Sequence, residues 1–102
     1  MEKVINISGQ DVRFKATAAL PLHFATHFNE DVLASAFEMK KNRGENTLLM
    51  YRMVWTMAYC ANKEIKPLEQ WLEDFDSFPI YAVYAQLSDM FWSSIKGVVP
   101  KN

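Results

Sequence analysis

The chain has 102 residues, half of them hydrophobic, with 11 Lys and Arg against 12 Asp and Glu, one cysteine and a formal net charge of −1. This length fits a single domain, 1–102, that buries about two-thirds of its unfolded surface, and the charge supplies no cationic field for phosphate backbones or anionic lipid, which argues against nucleic acid and membrane partners. Cys60 alone cannot close an intramolecular disulfide, and MEKVINISGQ has no apolar run that would serve as a signal peptide, so a cytoplasmic location is expected.

Residues 1–17 read as a β-hairpin. Val4, Ile5 and Ile7 precede Ser8 and Gly9, and the residues from Val12 to Ala16 alternate apolar and charged. That is the period of two of a half-buried strand, with glycine at the turn. Two strands are marginal alone in water, so the hairpin must pack on helices or pair with another chain.

The period then changes to that of a helical body over 18–97. Pro21 suits a first helical turn, and Leu20, Phe24, Ala25 and Phe28 recur at helical spacing over 18–28. Asn29 breaks the pattern in the left-handed conformation that asparagine tolerates, and Asp31 caps a second helix reaching Lys41. Its apolar residues are Val32, Leu33, Ala36, Phe37 and Met39; Lys40, Lys41 and Arg43 complement its C-terminal dipole and Gly44 stops it.

A third helix is expected over 45–63, centred on TLLMYRMVWTMAYCA. It is apolar nearly all round, which places it inside the domain, and too short for the ~20 apolar residues of a bilayer span. On a helical wheel Arg52, Thr56 and Lys63 share a polar stripe, Val54, Ala58 and Ala61 face the core, and Trp55 and Tyr59 lie beside the stripe. Pro67 opens a short helix over 67–75 presenting Leu68, Trp71, Leu72 and Phe75 inward, with Glu69, Glu73 and Asp74 on a wet outer side. Pro79 begins the last helix, to Lys96, with Gly97 as its stop and 98–102 as a tail. Ile80, Val83, Tyr84, Leu87, Met90 and Phe91 form its core face, edged by Tyr81 and Trp92. The fold class is therefore mainly α: an N-terminal β-hairpin followed by a compact bundle of about five helices.

Catalytic apparatus is not evident. The three glycines are each accounted for by a turn or a helix end, Cys60 sits in an apolar helix, and the carboxylates around Trp71 share a solvated face. His23 and His27 are four residues apart, with Asp31 four further on, the spacing of a metal site. The glutamate of H-E-x-x-H is missing and Asn29 interrupts the helix, so they read as ordinary partly exposed histidines. No enzyme activity, metal or cofactor is expected.

The order of these parts resembles a known family, the small tail assembly chaperones of long-tailed phages and prophages common in Gram-positive hosts. The residues that carry it are INISGQDVRFKATA at 5–18, FNED at 28–31, WLEDFDSFPIY at 71–81, and the helix that holds Trp92. They span nearly the whole chain, with Asn29 standing where relatives often have glycine. The resemblance implies a non-structural protein in the host cytoplasm, absent from the mature virion. It would coat and solubilise the helical tape measure protein until the tail tube protein displaces it, and a frameshifted longer form of itself would accompany it in many such phages. Such a chaperone needs exposed apolar sites repeated by self-association as a homo-oligomer. Three places qualify: Tyr81 and Trp92 with Ala85; Trp55 and Tyr59 beside Arg52, whose cation can lie over an aromatic ring; and the free edge of the hairpin. The alternative reading is a structural tail-completion or head–tail connector protein.

Overall fold

In the computed structural model, which describes residues 1–41 and 46–96, the hairpin is followed by five helices. Strands β1 (Glu2–Ile7) and β2 (Gln10–Lys15) pair antiparallel from Glu2↔Lys15 to Ile7↔Gln10. Ser8 and Gly9 form the turn with φ of 52° and 83°, the pair of left-handed residues that matches the twist of the flanking strands. Ile5, Ile7 and Phe14 are buried on the inner face, and Val4 and Arg13 oppose one another on the outer one. The Ser8 hydroxyl donates to the Ser77 carbonyl at 2.6 Å and Gln10 donates to the Asp74 carbonyl at 2.9 Å, so the turn is tied to the helical body.

Helix α1 (Leu20–Phe28) ends at Asn29, whose φ of 52° and ψ of 43° are left-handed and whose N–H reaches the Ala25 carbonyl at 2.8 Å. Asp31 then caps α2 (Val32–Lys41), its carboxylate accepting the N–H groups of Leu33 and Ala34 at 3.0 and 3.2 Å. Both features match the sequence reading. Arg43, Gly44 and Glu45, together with Gly97 and 98–102, lie outside the described residues.

Helix α3 (Thr47–Ala61) is shorter than expected at each end. At its start the Asn46 side chain accepts the Leu49 N–H at 3.0 Å, satisfying a donor that the first turn leaves unpaired. At its end Asn62 turns extended, and its side chain accepts the Glu64 N–H at 3.0 Å. Met53, Val54 and Met57 are fully buried, with α3 packed against β2, α1 and α5. Thr56, read as part of a polar stripe, is also fully buried; its hydroxyl donates to the Arg52 carbonyl at 2.7 Å, so the side chain enters the core without an unpaired group. Ala61 is only half-buried because the helix stops there.

Helix α4 (Leu68–Leu72) does not continue to Phe75. The N–H groups of Asp74 and Phe75 bond back three residues, to Trp71 and Leu72, and the tightened chain brings Trp71, Phe75 and Phe78 together with centroids 5.3–5.4 Å apart. Packing of these rings overrides a continuing helix. Helix α5 (Ile80–Lys96) buries Ile80, Val83, Leu87, Met90 and Phe91. The Cα radius of gyration, 12.9 Å, equals the ~13 Å of a compact chain of this length. Among the described residues no helix is long and apolar enough to cross a membrane.

Candidate functional site

The sequence left open what covers the flank of α3 that bears Trp55 and Tyr59. It is α1. The turn at Asn29 and Asp31 accompanies an α1 that packs beside α3, where His27 meets Trp55 and Tyr59 edge-on, with centroids 4.9 and 4.5 Å away. Phe28 meets Trp55 edge-on at 5.4 Å, and His23 meets Tyr59 at 5.3 Å. Trp55 and Tyr59, one turn apart on α3, stack at 5.2 Å with 17° between their planes. These offset and edge-to-face contacts are the arrangements that the ring quadrupoles favour.

Trp55 is therefore only 3% exposed, and its indole N–H donates to the Lys66 carbonyl at 2.9 Å. Of the two coverings the sequence allows, another element or a partner, it is α1 and the 62–67 connection that close over Trp55. Arg52 is half-buried, bonded to the Glu30 carboxylate at 2.7 Å, with its guanidinium 5.2 Å from the Phe28 ring. The anticipated cation–aromatic contact exists, but with a ring of α1 instead of Trp55 or Tyr59. Glu30 also accepts the Ser35 hydroxyl at 2.6 Å, which ties the α1–α2 turn to α3.

Outside this aromatic wall lies a cavity of about 320 Å³, bounded by His27, Phe28, Trp55 and Tyr59 on one side and by Lys63, Ile65, Pro67 and Leu68 on the other. Its volume is at the bottom of the ~300–1,000 Å³ usual for small-molecule sites, room for one or two side chains. Lys63 donates to the Cys60 carbonyl at 3.1 Å and holds its ammonium 5.2 Å from the Tyr59 ring centroid. It makes no ion pair with a carboxylate of the described residues. Burial, then the charges of Lys63 and His27, hold the His23 imidazole below its ordinary value.

Sequence reasoning places Trp55 and Tyr59 together here but not their companions. The sequence marks Phe28 only as one of the apolar residues at helical spacing, turns Leu68 to the interior and puts Lys63 on the polar stripe. Ile65 went unremarked, although it is the one apolar residue between Asn62 and Lys66, a signal that could have found it.

The second predicted cluster is less organised. Tyr81 is 50% exposed and its hydroxyl lies 3.2 Å from that of Thr47. Ala85 is exposed beside it on α5, while Trp92 is half-buried, packed on Phe37 at 5.4 Å and Phe91 at 5.3 Å. Phe37, one of the apolar residues of α2, is 52% exposed and completes this contact from outside. No third strand joins either edge of the hairpin among the described residues.

Burial pushes the Cys60 thiol above its ordinary value, away from the reactive thiolate. No group of three or more His, Cys, Asp or Glu among the described residues could hold a metal ion. Comparison with family models, with curated proteins and with solved structures found no match to this chain.

Proposed function

We propose that this chain is a phage tail assembly chaperone that binds and solubilises the tape measure protein in the host cytoplasm during tail morphogenesis. The observation that carries the helix-binding part is the groove beside α3, a cavity of about 320 Å³ of mixed polar and apolar surface with a wall of interlocked rings. An amphipathic helix lays its apolar stripe into such a groove by inserting side chains spaced one turn apart. Rings already fixed by one another lose little freedom when a partner arrives, which favours binding. The phage assignment rests on the order of parts described above, hairpin, helix break at Asn29 and aromatic segment 71–81. One groove covers only a short length of a long partner, so coating it requires many copies of this chain, side by side until the tail tube protein replaces them.

Co-expression with the adjacent long tail gene tests the reading. The expected result is soluble tape measure protein that co-purifies with this chain, and loss of both effects on Leu68→Glu, which puts a charge on the half-buried wall of the groove. Circular dichroism and the urea midpoint of the variant establish that it still folds. Tape measure protein that stays insoluble beside the folded wild-type chain would end the proposal. Stoichiometric amounts of this chain in purified mature particles would replace it with the structural tail-component reading.

A further inference from the structure

The charges around the groove are not evenly spread. Lys63 stands at its rim without a carboxylate partner among the described residues. Across Pro67, which lines both depressions, lies a second and more polar hollow of about 610 Å³ bordered by Lys66, Glu69, Glu73 and Asp74. Lys66 and Asp74 pair at 3.1 Å and offset one another. Glu69 and Glu73, one turn apart on the outer side of α4 and its C-terminal turn, make no ion pair with a cation of the described residues. The surface therefore runs from a cation, over a cavity walled by aromatic and aliphatic side chains and the Pro67 ridge, to two carboxylates.

We propose that this polarity selects the partner: the groove takes an amphipathic helix of another protein whose apolar anchor has an acidic residue on the Lys63 side and a basic residue on the Glu69–Glu73 side. The inference rests on the helix-binding reading of the groove, and it adds a rule for which segment binds and in which direction. The aromatic and aliphatic side chains of the cavity supply affinity, while the separated charges fix orientation and disfavour helices flanked by like charges. The opposed signs also set the polarity of the bound helix, so successive copies along one long helix would all point the same way.

Three labelled peptides of about 20 residues, long enough to form a helix, test this by fluorescence anisotropy against the full chain. They share one Leu and Phe stripe and differ only in the residues one turn before and after the central Phe: Glu and Lys, Lys and Lys, or Glu and Glu. Like-charged flanks cannot be rescued by reversing the helix. Each exposed pair changes affinity by a few-fold, so the mixed peptide is expected to bind about tenfold more tightly than either other one at 0.1 M salt, and the gap to shrink at 1 M. In Lys63→Glu, whose altered side chain is exposed and so does not threaten folding, the Lys-and-Lys peptide becomes the tightest binder. Nuclear magnetic resonance shifts at Tyr59 and Leu68 place the contact.

Affinities within twofold of one another, an unchanged ranking in Lys63→Glu, or no binding by any peptide would overturn the inference. So would shifts at the same residues on raising the concentration of the chain alone, which would make a second copy the occupant. A soluble tape measure complex indifferent to Lys63→Glu would overturn the charge rule and leave the chaperone reading standing. The peptide ranking without tape measure capture would do the reverse.

Discussion

Tyr59 and Tyr81 are both tyrosines on the flank of a long helix, and their surroundings differ sharply. Tyr59 is stacked on Trp55 and met edge-on by His23 and His27, with the Lys63 ammonium 5.2 Å from its ring. Tyr81 is half exposed and held by one hydroxyl contact to Thr47. The first is part of a wall whose shape is set before any partner arrives. The second is a single ring on the outer face of α5. Aromatic content alone does not make a site; what distinguishes the groove is that each ring is fixed by another.

The largest test of that contrast is removal of the ring on which the wall is built. Trp55→Ala is expected to cost about 3–5 kcal/mol in urea unfolding, the usual range for emptying a buried tryptophan site. Trp55→Phe keeps most of the bulk but leaves the Lys66 carbonyl without its indole donor, for a loss of about 1–2 kcal/mol. Equal, small losses in both would mean that the wall does not depend on this residue.

The next test concerns the clamp that holds α1 over α3. Glu30 and Arg52 have side-chain exposures of 26% and 30%, and the guanidinium also covers Phe28. A double-mutant cycle with Glu30→Ala and Arg52→Ala is expected to give a coupling of about 1 kcal/mol, near the upper end for exposed pairs because this one is partly shielded. Zero coupling would mean that ring packing alone positions α1.

Much of this arrangement follows from local sequence rules. The hairpin is legible because Ser8 and Gly9 sit between alternating segments, and the α1–α2 break because Asn29 and Asp31 each have a short-range job. The groove was only half legible. A helical wheel gave the angle of Trp55 and Tyr59 about α3, but not which element lies against that angle. That depends on how α1 crosses after the break, and the Glu30–Arg52 pair spans 22 residues. Thr56 shows the same gap, since its hydroxyl is satisfied within its own helix and no longer marks a wet face. Helical periodicity carries α4 on to Phe75, whereas its end is set by Trp71 and Phe75 meeting Phe78, a contact outside any helical period.

A smaller effect comes from pH. Burial, with help from Lys63 and His27, lowers the folded-state value of His23, so the unfolded chain takes up this proton first. The associated stability is complete above the ordinary histidine value of about 6.5 and is lost as pH falls through it toward the folded value. The melting temperature should therefore fall between about pH 7.5 and 5.5, and His23→Gln should flatten part of that slope. A slope identical in the variant would remove His23 from the account.

The smallest expected effect is at Tyr81, and it separates the two regions most cleanly. The ring is half exposed and the hydroxyl contact to Thr47 is open to water, so Tyr81→Ala should change stability by no more than about 0.5 kcal/mol. Its influence on partner capture is then readable without any folding defect. If the groove is the contact surface, capture of the tape measure protein by Tyr81→Ala equals that of the wild-type chain while Leu68→Glu abolishes it. If capture falls in Tyr81→Ala instead, the outer face of α5 is the surface that partners see, and the ordered rings beside α3 serve only to hold α1 in place.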